Sequence, residues 1–205
     1  FTLLFGINLN AQHLSFDGTN DYVSTNSSLI DNLFSGTQSF TISTWVYGNG
    51  GGSGAYRNII SKGNTDNSGG NPKSFQIFND GGRYSIILYT DDSNFLRLQP
   101  ASTSLLNANS WNHLIITYSG GTSNSSLKIY LNGSEVTNMN SGNGDYGSYS
   151  GMNSNSDPLY IGARVQENGN PHLVWDNKID EVAIWNEALT GTEITALYNS
   201  GIPLA

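Results

Sequence analysis

DNKIDEVAIWNEALTGTEITALYNSG, residues 176–201, carries the one strong helix signal of the chain, directly behind a strand that holds an acidic pair. Side chains alternate along an extended backbone, which predicts Asp180, Val182 and Ile184 on one face of that strand and Glu181, Ala183 and Trp185 on the other. Thr190 followed by Glu193 forms a capping box, in which hydroxyl and carboxylate each bond a free backbone amide at the helix start. Leu189 and Ile194 are spaced for a hydrophobic staple across that start. Ile194, Leu197 and Tyr198 share one helical face, and Gly201 is placed to end the helix in the left-handed conformation. One short C-terminal helix therefore closes what is otherwise a β core.

Outward from this stretch the chain alternates between short strands and turns. FTISTWVY, residues 40–47, is the strongest of the early strands, with Phe40, Ile42, Thr44 and Val46 facing one way and Trp45 and Tyr47 the other. Strands are also predicted at 13–16, 22–24, 58–61, 74–78, 83–89, 95–98, 112–118, 127–131 and 159–162, separated by Gly-, Asn-, Asp- and Ser-rich turns. Asn132-Gly133 between LKIYL and SEVT is a type I′ hairpin signal, because both residues tolerate positive φ. The longest predicted loop, 138–157, is Gly, Ser and Asn with Tyr146 and Tyr149 set in it, and a loop of that length is more often functional or mobile than merely connecting. Roughly a dozen short strands with hairpin turns, and no alternating helices, imply an all-β antiparallel two-sheet sandwich or jelly roll.

Composition narrows the function classes. Lys plus Arg number 8 against 16 for Asp plus Glu, and the formal charge of −8 argues against nucleic acid or an anionic membrane surface as partner. There is no cysteine, so disulfides, thiolate metal sites and a Cys nucleophile are excluded. Residues 1–11, FTLLFGINLNA, are apolar and end in a small residue, like the remnant of a secretory signal peptide; an ordinary first strand is the alternative. On the signal reading the mature chain starts near Gln12, and 12–205 forms one domain with no Pro-rich or like-charge linker dividing it. Nothing later in the chain is long and apolar enough to insert into a membrane as a helix.

Six segments together resemble the LamG-like (laminin G-like) jelly-roll domains of the concanavalin A-like lectin/glucanase superfamily. They are LSFDGTNDYV (14–23), SFTISTWVY (39–47), SWNHLIITYSGG (110–121), LKIYLNGSEV (127–136), PLYIGA (158–163) and KIDEVAIWNEALTGTEITALYNSG (178–201), in that order. The resemblance covers nearly everything after Gln12 and departs mainly in the loops 48–54 and 138–157, where partner specificity on such a fold is usually carried.

Three chemistries are open to this chain. A calcium site is the first: Asp17, Asn20 and Asp21 are hard oxygen ligands in one turn, the carbonyl of Gly18 could join them, and calcium accepts flexible loop geometry. The resemblance implies neighbouring N- and C-terminal strands, which would let Asp180 approach, and it implies a structural cation. The alternative is that Asp17 and Asp21 only cap turns.

Glycoside hydrolysis is the second. It needs two carboxyl groups about 5 to 10 Å apart facing one sugar, and on a strand such a pair sits at even spacing. The face Lys178, Asp180, Val182, Ile184 lacks a second carboxylate. The histidines His13, His113 and His172 are isolated, and His113 at the start of a strand suits a hydrogen-bonded structural role.

The third is a glycan-binding surface, since sugar C–H faces pack on aromatic rings while nearby polar groups bond their hydroxyls. Tyr56, Tyr146, Tyr149 and Trp175 are the loop or edge aromatics available, with Arg57, Asp145, Asn153, Arg164 and Asp176 as polar companions. Trp175 and Tyr56 could instead complete the core; Trp45, Trp111 and Trp185 sit in strand motifs and are assigned to packing.

The expectation is a secreted or cell-surface, non-catalytic module that binds polysaccharide or cell-surface glycan, carries structural calcium and forms part of a larger surface protein. The alternative is a structural or assembly module with an extracellular protein partner, and the third reading is a polysaccharide hydrolase or lyase.

Overall fold

Strands with one apolar face must bury it, and here two antiparallel sheets bury theirs against each other. The computed structural model describes residues 13–48, 56–64, 73–102, 107, 109–140 and 142–201; the signal-like start at 1–11 and most of the glycine run 48–54 lie outside them. The elements in chain order are β1 (Leu14–Ser15), β2 (Val23–Thr25), α1 (Ser28–Leu33), β3 (Phe40–Tyr47), β4 (Arg57–Lys62), β5 (Phe75–Asp80), β6 (Arg83–Tyr89) and β7 (Phe95–Leu98). They continue with β8 (Trp111–Tyr118), β9 (Leu127–Leu131), β10 (Ser134–Glu135), β11 (Gly144–Tyr146), β12 (Leu159–Ile161), β13 (Arg164–Val165), β14 (Pro171–His172), β15 (Lys178–Trp185) and α2 (Gly191–Tyr198). One sheet has the order β1-β15-β3-β8-β9-β10 and the other β11-β7-β6-β5-β4-β12-β2, while β13 and β14 form a separate hairpin.

The alternation read in the sequence places the core. Phe40, Ile42 and Val46 of β3 and Leu114, Ile116 and Tyr118 of β8 meet Phe75, Ile77, Ile86, Leu88, Leu96 and Leu98 of the opposite sheet. Phe34, following α1, sits between Phe40 and Phe75 at ring separations of 5.2 and 4.6 Å. α1 was not predicted; Ser27 caps it, and its six residues are too few to show a helical period. Its Asp31 pairs at 2.9 Å with Lys62, a fully buried ammonium that also bonds the carbonyls of Asn155 and Asp157. The turn at Asn132 and Gly133 has φ of 51° and 78°, as a type I′ hairpin requires.

The C-terminal stretch differs from its sequence reading in two details. A β-bulge between Asp180 and Ala183 sets Glu181 and Val182 against the single Thr44 of β3, and Glu181 takes φ of 47°. The extra residue inverts the alternation, so Ile179, Val182 and Ile184 all pack on the core and Asp180 no longer shares their face. The capping box is present, and Ile194 packs with Ile115, Tyr130 and Leu189, but the helix ends in the left-handed Asn199 at φ 45° rather than at Gly201. Leu197 stays exposed, whereas Tyr198 stacks on Trp45 and His113. The long loop is also more ordered than its composition suggests: 144–146 pairs with β7 as an edge strand, and Met152 bridges Gly36.

Candidate functional site

The outward face of the seven-stranded sheet is where aromatic and polar side chains collect. Pairing sets Tyr146 opposite Phe95 and Phe95 opposite Tyr89, making one row across β11, β7 and β6. The next row runs Arg97, Ile87, Gln76 across β7, β6 and β5. Residues directly opposite on antiparallel strands share a face, so both rows look away from the core. The rings touch: Phe95 stacks on Tyr146 at 4.4 Å and lies tilted against Tyr89 at 5.7 Å, and Lys73 lies 4.6 Å over Tyr89.

The β13–β14 hairpin and the residue before β4 wall this face at one end. Buried Asn58 and Ser61 both donate to the carbonyl of Ala163, fixing the chain that leads into Arg164. Leu173 is held at φ 53°, an uncommon backbone for a bulky residue, by Asn58 N–H bonding its carbonyl at 2.7 Å. Tyr56 leans on Phe78 at 5.8 Å. Together these enclose an open cleft of about 290 Å³ lined by Tyr56, Gln76, Phe78, Ile87, Tyr89, Arg97, Arg164 and Leu173. A second cleft, about 370 Å³, lies by Leu98, Lys128, Glu135 and Asn143, and among the described residues no aromatic ring lines it.

The polar atoms of the first cleft are mostly donors in want of acceptors. Nε of Arg97, Nε of Arg164 and Nε2 of Gln76 are buried without a hydrogen-bond partner. Gln76 Oε1 accepts from the Tyr89 hydroxyl at 3.4 Å, and Arg97 donates to Gln99 at 2.9 Å, with Asp80 3.8 Å away. Arg164 contacts His172 Nδ1 at 3.1 Å. Burial lowers the pKa of Arg164, opposed by Tyr89 and Asp92, and burial raises that of Tyr89, opposed by Arg164 and Arg97.

The structure brings together only part of the expected set. Tyr56 and Arg164 line the cleft, whereas Tyr146, 36% exposed, does not line it and stacks on Phe95 in the row that reaches the cleft at Tyr89. Tyr149 and Trp175 do not belong to it: both are in the core, 5% and 1% exposed, because their segments turn inward. They offer no face to a sugar. Arg57 pairs with Asp176 at 3.7 Å, Asp145 accepts from Asn124 N–H, and Asn153 bonds Tyr89 and Ser74 along the sheet edge. Gln76, Phe78, Ile87, Tyr89, Arg97 and Leu173 went unread as site residues. Their signal was present as Gln76/Phe78, Ile87/Tyr89 and Phe95/Arg97 alternating with aliphatics, on strands whose two faces are both well filled.

A laminin G-like family profile, described as concanavalin A-like lectin/glucanases superfamily, matches residues 17–195. The chain belongs to this superfamily. A search of curated protein sequences finds no match. Among solved structures, this lectin-like chain is similar to the NanB sialidase from Streptococcus pneumoniae, with TM-score 0.64, 20% identity, and coverage of 93% of this chain and 27% of the other. It is similar to a Ruminococcus gnavus IT-sialidase CBM40 bound to alpha2,3 sialyllactose, with TM-score 0.62, 11% identity and coverage of 91% and 98%. A botulinum neurotoxin type C structure, whose cell entry depends on two ganglioside molecules, gives TM-score 0.56, 19% identity and coverage of 87% and 39%. At such identities the likeness is one of fold, and the chain spans well under half of the sialidase and toxin chains.

Of the expected calcium ligands, Asp180 stands apart from the turn that holds Asp17, Gly18, Asn20 and Asp21. Leu14 pairs with Ile179, Ser15 with Lys178, and Phe16 N–H bonds Asn177, so the turn holding Asp17 faces Asp176 instead of Asp180. A Cβ on Gly18 would lie 2.7 Å from that of Asp176. Asp180, four strand positions on, is on the order of 13 Å farther along, and its Oδ1 accepts from Glu181 N–H. Asp17 Oδ1 accepts from Thr19 N–H at 2.7 Å and Asp21 Oδ2 from Asp17 N–H at 3.0 Å, which is turn capping. Among the described residues no three His, Cys, Asp or Glu side chains come together as metal ligands. The set Asp17, Gly18, Asn20, Asp21, Asp180 therefore does not fit a calcium ion as a unit.

Proposed function

We propose that this chain is a non-catalytic carbohydrate-binding module of an extracellular or cell-surface protein, and that it holds its sugar in the cleft on the outward face of the seven-stranded sheet. The observation that carries the reading is the coincidence in one cleft of aromatic rings, Tyr56, Phe78 and Tyr89, with three unpartnered N–H donors. A sugar offers C–H faces to the rings and oxygens to the donors, and small-ligand sites combine a mainly apolar wall with a few convergent polar groups. The sialyllactose-bound CBM40 and the ganglioside-dependent toxin, which share the fold, support a glycan partner.

Binding is favoured over hydrolysis because no Asp or Glu lines the cleft among the described residues, whereas glycoside hydrolysis needs two carboxyl groups facing one sugar. Among the described residues no helix is long and apolar enough to cross a membrane. The assembly reading would use the sheet edges, where Leu14, Tyr22 and Val23 are 39–41% exposed. Those edge strands have only two and three residues, which gives an added strand little to pair with.

A glycan array followed by calorimetric titration of the best hit tests the proposal. Tyr56→Ala, at a ring 47% exposed, should weaken binding roughly tenfold while leaving the melting temperature near that of the unaltered chain. A chain that binds no glycan, or whose affinity ignores both Tyr56→Ala and Gln76→Ala, would refute it.

A further inference from the structure

Resting on that reading, we infer that the sugar held in this cleft is an acidic one, and that its carboxylate is received by Arg164 with help from Arg97 and Gln76. The chain has twice as many acidic as basic residues, so a carboxylate partner for each cation was easy to supply. Arg57, Lys62, Lys73, Arg97 and Lys128 each have one within 4.0 Å. Arg164 has none among the described residues; its one hydrogen-bond partner is the neutral-acceptor position of His172. Arg83 and Lys178 also show no ion pair among the described residues, but neither lines the cleft. A guanidinium partly withdrawn from water, its Nε buried, without a counter-charge is costly, and a ligand carboxylate offsets that cost.

The unfilled valences of the cleft all have one sign. Arg164 Nε, Arg97 Nε and Gln76 Nε2 are donors, and among the described residues no lining side chain has a buried unpartnered acceptor. A neutral hydroxyl brings a hydrogen along with its lone pairs, whereas an ionised carboxylate is acceptor-only and matches a guanidinium in a planar, two-pronged geometry. Asp80, 3.8 Å from Arg97, leaves that cation partly compensated, and Asp92, which acts on Arg164 through space, is bound by Lys73 at 2.9 Å. Arg164 thus holds the most uncompensated positive charge in the cleft. The apolar side of the same sugar ring then lies against Tyr56 and Phe78.

Titration of the full chain with methyl glycosides of N-acetylneuraminic acid and glucuronic acid, beside the methyl ester of each, glucose, and a sulfated glucose, tests this. The acidic sugars should bind roughly 10- to 100-fold more tightly than their esters, and Arg164→Gln should remove that preference while preserving both the melting temperature and the weak binding of the neutral forms. Tyr56→Ala should weaken acid and ester alike. Equal affinity for acid and ester, both sensitive to Tyr56→Ala, would overturn the acidic-sugar inference and leave the glycan cleft standing; sulfate binding as well as carboxylate would overturn its carboxylate specificity. Binding of none of these sugars, or of any glycan on an array, would end both.

Discussion

His113 shows how a residue can be read correctly in kind and still carry a consequence only the fold reveals. Its ring is stacked on Trp45 at 4.8 Å under Tyr198, its Nε2 is 2.7 Å from Ser43 Oγ, and its Nδ1 has no partner. Burial lowers its pKa to about 4. Below its ordinary value of about 6.5 the unfolded chain takes up a proton that the folded chain refuses. Stability is therefore undiminished above that value and declines as pH falls toward 4, by on the order of 2 kcal/mol. Denaturant unfolding between pH 7 and 4.5 should show this decline, and His113→Gln should flatten it. An equal slope in the variant would assign the decline to other groups. Glu193, whose pKa is lowered by the Thr190 amide and hydroxyl, loses its contribution only in more acid solution, as pH falls through a value below the usual carboxylate range. Tyr56 and Arg164, which line the cleft, were legible as candidates because an aromatic and a cation stood in polar surroundings. Tyr149 and Trp175 met the same criterion and failed it, since composition does not tell which way a loop ring turns.

Elements were the most legible level. Strand boundaries at 40–47, 83–89, 95–98 and 127–131 coincide with the pattern of alternating apolar residues, and the capping box placed the start of α2. What escaped was local and small. The bulge at Glu181 has no marker in the sequence, and one extra residue suffices to move Asp180 to the other face. The short strand β12 and the hairpin β13–β14 meet at Gly162, whose φ is 85° and where a Cβ would sit 2.2 Å from the Phe16 ring. Its N–H and carbonyl also tie β4 to Trp175. Gly162→Ala should therefore lower the unfolding free energy by more than about 2 kcal/mol, combining backbone strain with a displaced core ring. Chemical denaturation checks this, and a loss under 0.5 kcal/mol, within the usual range for harmless surface changes, would mean the junction relaxes freely.

At the scale of the molecule, sheet order does what no sequence window can. Gln76, Tyr89, Arg97, Arg164 and Tyr56 come from five separate segments and meet only because β7, β6, β5 and β4 are neighbours and the β13–β14 hairpin lies beside them. β1 and β15 are neighbours in that order, and it is their register that sets Asp180 apart from the Asp17 turn, so the one ligand that the resemblance added stands away from the others. The jelly-roll class followed from strand count and turn chemistry; the choice of which face to leave polar followed from pairing. Sugar binding on the outward face of the seven-stranded sheet, as proposed, would leave a local footprint. Backbone amide NMR of the full chain, titrated with its best glycan, tests it directly. The predicted result is shift changes confined to 56–58, 76–78, 85–89, 95–97 and 164–173. Changes centred on 124–128 and 135–143, around the cleft without aromatic rings, would contradict it.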